Sequence, residues 1–288
     1  MTPAVALRLG RVSNLPTVWT NALAGVALAG ASPWRWATLA VAGGLSLAYV
    51  GGMYLNDAFD RATDAREQPF RPIPSGAVEA NTVFAAGFLL LLGGIALLLA
   101  AAGGFGVPSG GVAASGFALA GCVVVYSWHH KDNPLSPLVM GTCRLLSYVA
   151  AGVAATAVPS GALPIAAAVA LCYLIGLTFA AKREASGRFG GAWPLVLLLV
   201  PLVYGAWHAD GAAAWLSLAA LAGLIGVAAW LLRRRRQGDI GRAVGSMIAG
   251  IALLDAMFLA VAGRPGAAAL ALGCFVVTLV LQRWVRGT

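Results

Sequence analysis

The feature that most limits what this chain can fold into is its succession of long apolar runs broken only by short polar segments. Residues 80–130 and 145–181 contain no Asp, Glu, Lys or Arg at all. A helix needs about 20 residues to cross about 30 Å of hydrocarbon. Ten such segments fit within 288 residues, near 15–31, 36–58, 82–102, 112–128, 137–157, 162–181, 192–208, 212–232, 243–262 and 266–284. The second should continue beyond its apolar run, because the polar stretch after Leu55 keeps a helical period until Pro69 stops it.

Composition closes the alternatives. Only 10% of the residues are charged, well below the roughly 25% usual for soluble domains, so a water-soluble enzyme is excluded. Disorder requires the opposite balance of charge and hydrophobicity. An outer-membrane barrel would show short alternating strands. The expected fold class is all-α: a polytopic transmembrane bundle of nine or ten helices, nine if one of the last segments is re-entrant. Residues 1–288 are expected to form a single integral-membrane domain, with no soluble domain and no long linker.

Orientation follows from Lys and Arg, which collect in cytoplasmic loops. With the N-terminus cytoplasmic, Arg8, Arg11, Arg61, Arg66, Arg71, Lys131, Lys182, Arg183, Arg188, Arg233 to Arg236, Arg242, Arg283 and Arg286 all fall inside. Arg35 and Arg264 fall outside, and Arg144 lies within a span. This sorting accounts for the net charge of +9 and the pI near 10.0 without nucleic acid as a partner. The run Arg233 to Arg236 reads as an anchor on anionic lipid heads. Cys122, Cys143, Cys172 and Cys274 stand at no metal-ligand spacing and read as small apolar residues.

The acids also gather on the cytoplasmic side: Asp57, Asp60, Asp64, Glu67, Glu79, Asp132, Glu184 and Asp239, against Asp210 outside and Asp255 within a span. Carboxylates do not set topology, so this clustering needs another cause. At 3.6 residues per turn, positions i, i+3 and i+7 lie within about 60° of one another. Asp57, Asp60 and Asp64 therefore share one helical stripe. Three like charges there call for a cation, and hard oxygen ligands favour Mg²⁺, which also bridges to phosphate. The plainer alternative is a solvated helix end paired with Arg61 and Arg66. Arg71-Pro-Ile-Pro-Ser-Gly76 follows, and its prolines predict a rigid, extended turn that carries Arg71 back to the acids. A guanidinium there suits bidentate diphosphate binding; otherwise it is one more topology residue.

These residues resemble the UbiA superfamily of intramembrane prenyltransferases. Asn56-Asp57-x-x-Asp60-x-x-x-Asp64 matches its NDxxDxxxD signature, with RPIPSG at the usual distance. Arg11 through Gly25, with Asn14, Pro16 and Asn21, is similar to the family's first helix. Tyr126-Ser-Trp-His-His-Lys131 and Pro137-Leu-Val-Met-Gly141 are similar to its tyrosine-lysine-arginine region. The departure is at the second acidic signature, usually DxxxD, which here reads Lys182-Arg183-Glu184-Ala-Ser-Gly-Arg188. That spelling, with NPLSPLVMG and Cys143-Arg144, is similar to the EboC-like branch.

The resemblance implies a helical bundle around a central cavity that opens near the cytoplasmic face of a bacterial-type inner membrane. It implies Mg²⁺-dependent transfer of a prenyl group from a polyprenyl diphosphate to an aromatic or other small hydrophobic acceptor. Asp57, Asp60, Asp64 and Glu184 would hold Mg²⁺; Arg71, Lys131, Lys182 and Arg183 would hold diphosphate. Asn56 would complete the catalytic set by orienting a carboxylate or the diphosphate. With one carboxylate left at the second signature, a non-catalytic relative that binds or transports an isoprenoid or lipid precursor stays open. Arg144 and Asp255, ionisable groups inside spans, are expected either to pair or to line the acceptor pocket.

Overall fold

The computed structural model describes residues 1–131, 133–186, 193–234 and 236–285; for residues 182–186, 193 and 194 only the backbone is described. Every regular element among the described residues is helical. A short helix, α1 (Pro3–Leu9), leads through a 3-10 turn at Val12–Asn14 into α2 (Leu15–Leu28). There follow α3 (Ala37–Glu67), α4 (Ala80–Phe105), α5 (Ser109–His129), α6 (Ser136–Ala155) and α7 (Ala162–Ser186). The remainder comprises a 3-10 stretch at Trp193–Leu199, α8 (Val200–His208), α9 (Gly211–Arg234), α10 (Asp239–Ala249), α11 (Ile251–Val261) and α12 (Pro265–Leu281).

Each expected apolar segment falls on helix, and the differences have local causes. α2 stops three residues early because the chain turns at Gly30, whose φ of 94° is open to glycine. The segment expected at 192–208 divides at Val200, where Pro201 opens α8 and, having no N–H, cannot extend a helix from the preceding turn. The segment expected at 243–262 starts earlier and breaks at Gly250, where the Tyr173 hydroxyl donates to the Met247 carbonyl at 2.8 Å. Among the described residues, seven helices are long and apolar enough to cross a membrane: α3, α4, α5, α6, α7, α9 and the combined stretch Asp239–Val261. Leu195–His208 and Pro265–Leu281 are shorter apolar helices.

Two hydrophobic cores meet at α2 and α6. Ala24, Leu28 and Tyr148 face a core shared with α7 and α9 to α12, whereas Val26, Ala150 and Ala154 face one shared with α3, α4 and α5. The outer surface exposes large apolar residues such as Leu39, Leu89, Phe117 and Leu216, a surface suited to lipid and not to water.

One helix pair positions the acids. α3 is 31 residues long, about 46 Å at 1.5 Å per residue, against about 30 Å of hydrocarbon. Its last turns, with the acid stripe, can therefore project past the apolar layer. Its placement is fixed by close approach to α4: a Cβ on Gly51 would stand 2.8 Å from the Gly87 carbonyl oxygen, and one on Gly94 2.8 Å from that of Gly44. Only glycine permits backbones to pack at that distance, as small residues do between helices in lipid.

Candidate active site

Asn56, Asp57, Asp60 and Asp64 lie on one face of α3 and are 7%, 7%, 8% and 1% exposed. Acids this buried persist only when paired, and the pairing is dense. Asp57 Oδ1 accepts from Arg11 Nη2 at 3.0 Å and from Arg71 Nη1 at 3.4 Å. Asp64 Oδ2 accepts from the same Arg71 nitrogen at 2.8 Å. Lys131 Nζ stands 3.7 Å from Asp60 Oδ2 and 3.6 Å from Asp64 Oδ1, and His130 Nε2 is 3.4 Å from Asp60 Oδ2. Asn56 Nδ2 approaches His130 Nδ1 at 3.5 Å.

Three separate pieces of chain deliver these cations. Arg11 sits between α1 and α2 with a left-handed φ of 42°, a conformation costly for a residue with a Cβ. It is held there because the Tyr49 hydroxyl donates to its carbonyl at 3.5 Å and accepts from Asn14 Nδ2 at 3.2 Å. Gln282 Nε2 in turn donates to Asn14 Oδ1 at 3.0 Å, tying the end of α12 to this break. Arg71 is returned by the 68–78 segment, and Gln68 Oε1 accepts from its Nε at 3.0 Å. His130 and Lys131 follow α5, with the His130 ring stacked on Tyr126 at 4.9 Å between centroids.

Behind the acids lies a cavity of about 110 Å³, walled by apolar residues including Val18, Leu45, Leu119 and Val123. One buried water needs only about 10–15 Å³ by this measure, so the space is more than a packing defect. Met53 and Tyr126 join it to the charged cluster: Arg11 Nη1 points at Met53 Sδ at 3.4 Å, and Tyr126 carries His130.

Residues 15–251 match the UbiA prenyltransferase family. This chain belongs to that family. Members of the family transfer prenyl groups to hydrophobic acceptors within the membrane, and with seven long apolar helices this UbiA member is an integral multi-pass membrane protein. A chlorophyll synthase of Avena sativa is 51% identical over 43 residues, 15% of this chain and 11% of that protein. A digeranylgeranylglyceryl phosphate synthase of Methanoregula boonei is 47% identical over 51 residues, 18% of each. The alignments thus span less than a fifth of these relatives. Two solved structures share the fold at 17% identity and 91% coverage of this chain. One, from work on the biosynthesis of digeranylgeranylglyceryl phosphate synthase in membranes, has a TM-score of 0.61 and is covered over 98% of its length. The other, the apo form of a UbiA homologue from Aeropyrum pernix K1, has 0.60 and 96%.

Several sequence expectations change in this UbiA member. The 68–78 segment turns and returns Arg71 to the acids as expected, but as compact hydrogen-bonded turns and not in extended form, with Ser75 N donating to Arg71 O at 3.0 Å and Ala77 N to Pro72 O at 3.0 Å. Arg61 and Arg66 pair with none of the stripe acids among the described residues; Arg61 donates to the Ala58 carbonyl and covers the Phe84 ring. Arg144 and Asp255 do not pair with each other: Thr20 and Tyr148 donate to Asp255, while Arg144 donates to Asn21 and Thr17. The backbone of Lys182, Arg183 and Glu184 ends α7, but their side chains, and all of Arg188 and Asp132, lie outside the described residues. The sequence reading did not single out Arg11 or His130 as partners of the acids. Arg11 gave only the signal of a basic residue beside a span, which topology already explains.

Among the described residues no three His, Cys, Asp or Glu side chains stand close enough to enclose an ion. Mg²⁺, however, keeps several waters and needs only one or two protein carboxylates beside substrate phosphates. Asp64 Oδ1, at the C-terminal end of the stripe, is a buried hard oxygen that makes no hydrogen bond among the described residues and has only the Lys131 ammonium nearby, at 3.6 Å. The residues fit an ion completed by diphosphate better than a closed protein cage.

Proposed function

We propose that this protein transfers a prenyl group from a polyprenyl diphosphate to a small hydrophobic acceptor, using the α3 acid stripe and its cations. The carrying observation is the interleaving of Asp57, Asp60 and Asp64 with Arg11, Arg71 and Lys131 at one end of an apolar cavity. Three acids there balance three cations, so a polyanionic diphosphate entering the cluster requires added positive charge. Mg²⁺ taking its protein ligands from among Asp57, Asp60, Asp64 and Glu184 would supply it and stabilise the leaving diphosphate.

The chain's own groups do the rest. Arg71 takes diphosphate oxygens bidentately as its hold on Asp57 and Asp64 loosens, and Lys131 and Arg11 add charge at the same face. Lys182 and Arg183, at the end of α7, complete the diphosphate site. Donors fixed where negative charge develops lower the barrier to departure. Asn56 orients the neighbouring groups through His130. The isoprenoid tail lies in the cavity between α2, α3, α5 and α6, where apolar walls keep water from the allylic cation. An acceptor nucleophile then takes the cation.

The residues 1–288 act as one domain, and the positive-inside bias supports a cytoplasmic N-terminus and site in a bacterial-type inner membrane. The non-catalytic alternative is the weaker reading, because family members are transferases. The test is pyrophosphate release from geranylgeranyl diphosphate by protein in nanodiscs supplied with membrane lipid extract. Release with Mg²⁺ that stops with EDTA and returns with added Mg²⁺ is the expected result; saturable donor binding without release would favour the non-catalytic reading.

A further inference from the structure

Two thiols meet between α5 and α6. The sulfurs of Cys122 on α5 and Cys143 on α6 stand 3.4 Å apart, the Cys143 thiol donating to Cys122 Sγ. Cys122 in turn donates to the Val139 carbonyl at 3.6 Å, one turn before Cys143, which seats it over the start of α6. The sequence spacing hides this pair, because its members are 21 positions apart and meet only where the chain doubles back between the two helices. Cys172 and Cys274 lie elsewhere, on α7 and α12. Neither sulfur of the pair is sealed off: both cysteines are half-buried, and Cys143 lines the apolar cavity together with Met140 and Tyr126. That cavity, of about 110 Å³, exceeds the roughly 10–15 Å³ that one water needs. A reagent little larger than water can therefore reach Cys143 from it.

We propose that Cys122 and Cys143 form a redox modification site, closed to a disulfide by a hydroperoxide such as hydrogen peroxide. The Cys143 sulfur attacks one peroxide oxygen, the O–O bond breaks, one water leaves and a sulfenic acid remains. The Cys122 sulfur then displaces that hydroxyl, the sulfur–sulfur bond forms, and a second water carries off the last thiol proton. Two thiols are oxidised and one peroxide is reduced to two waters. Bonding draws the sulfurs together from 3.4 Å to about 2 Å. α6 is backed closely by α7, where a Cβ on Gly141 would stand 2.7 Å from Leu171 Cδ1, and α5 is the more exposed of the two helices, so α5 is the one displaced. Cys122, Tyr126 and His130 recur every four residues along one face of α5. The displacement therefore passes to the Tyr126 wall of the cavity, and to His130 and Lys131 beside Asp60. A shift of about 1 Å in positioning groups can cost on the order of 10²-fold. Oxidation narrows the cavity and weakens the hold on the prenyl donor. That consequence rests on the prenyl-transfer reading, whereas closure of the disulfide does not.

The test treats reduced full-length protein in nanodiscs with hydrogen peroxide, digests it without reductant and reads the peptides by mass spectrometry; geranyl diphosphate is titrated onto the reduced and oxidised forms in parallel. The expected product is one linked peptide pair holding Cys122 and Cys143, about 2 Da lighter than the two thiol peptides together and separated again by dithiothreitol. Cys122→Ala is expected to leave Cys143 as a sulfenic acid that dimedone traps. Oxidised wild type is expected to bind geranyl diphosphate roughly tenfold more weakly than reduced wild type, with affinity restored by dithiothreitol. Cys122→Ala, which cannot close the bond, should keep its affinity within about twofold under the same treatment. No linked peptide, linkage through Cys172 or Cys274 instead, or a linked protein that binds the donor as tightly as the reduced one would overturn the proposal. If reduced wild type binds no geranyl diphosphate, the prenyl-transfer reading fails, and the linked peptide alone decides whether the pair is a redox site.

Discussion

The α3 stripe and the bundle core both bury acids, and they hold them differently. At the end of α3, Asp57, Asp60 and Asp64 are held by Arg11, Arg71, Lys131 and His130, long or ring side chains from three other segments. In the bundle core, Asp255 is wholly buried and held by two hydroxyls, from Thr20 on α2 and Tyr148 on α6. Cationic partners on flexible stems can be redirected to an incoming anion; short hydroxyl contacts between packed helices cannot. On the proposed function the stripe exchanges ligands, whereas Asp255 holds packed helices together.

The sharpest way to break that division is Asp60→Ala. Loss of an electrostatic stabiliser at the reacting charge costs on the order of 10²–10³ in turnover, so pyrophosphate release should fall by that factor while thermal unfolding changes little. Arg11→Ala comes next. Truncating one partner of a desolvated charge pair costs about 2 kcal/mol, and donor binding measured by titration should weaken roughly thirtyfold. Asp255→Ala should act on the other quantity: the stranded Tyr148 and Thr20 hydroxyls cost about 1–2 kcal/mol of stability, read as a lower melting temperature in detergent with donor affinity kept within about twofold. If Asp255→Ala instead abolished donor binding in folded protein, the division would be wrong. Arg61→Ala should be smallest, within about 0.5 kcal/mol, with turnover kept, because Arg61 covers Phe84 and takes no part in the stripe.

The stripe was legible in the sequence because its geometry is local: i, i+3 and i+7 on one helix need no knowledge of the rest of the chain. Arg71 was legible for a related reason, since only a short Pro-rich turn separates it from Asp64. Arg11 and His130 were not. They lie 46 and 70 positions from Asp57 and Asp60 in sequence, and their contacts depend on how α1, α2 and α5 pack around α3. The partners of Asp255 are farther still, 235 and 107 positions away. The same boundary between local and distant causes governs the fold. Apolar runs announced the helices, but the interruption of the last long span at Gly250 reflects Tyr173 reaching across from α7 to the Met247 carbonyl. The turns after Pro72 were misread as extended because proline restricts its neighbours without fixing which carbonyls the following N–H groups find.

Prenyl transfer is proposed to take place at the α3 stripe. Its most direct test is mass spectrometry of lipid extracts from membranes containing wild type or Asp60→Ala, supplied with isotope-labelled geranylgeranyl diphosphate and Mg²⁺. The account predicts a labelled prenyl product with wild type, absent with Asp60→Ala although both proteins are present at equal abundance. The same product formed at an undiminished rate by Asp60→Ala would contradict it.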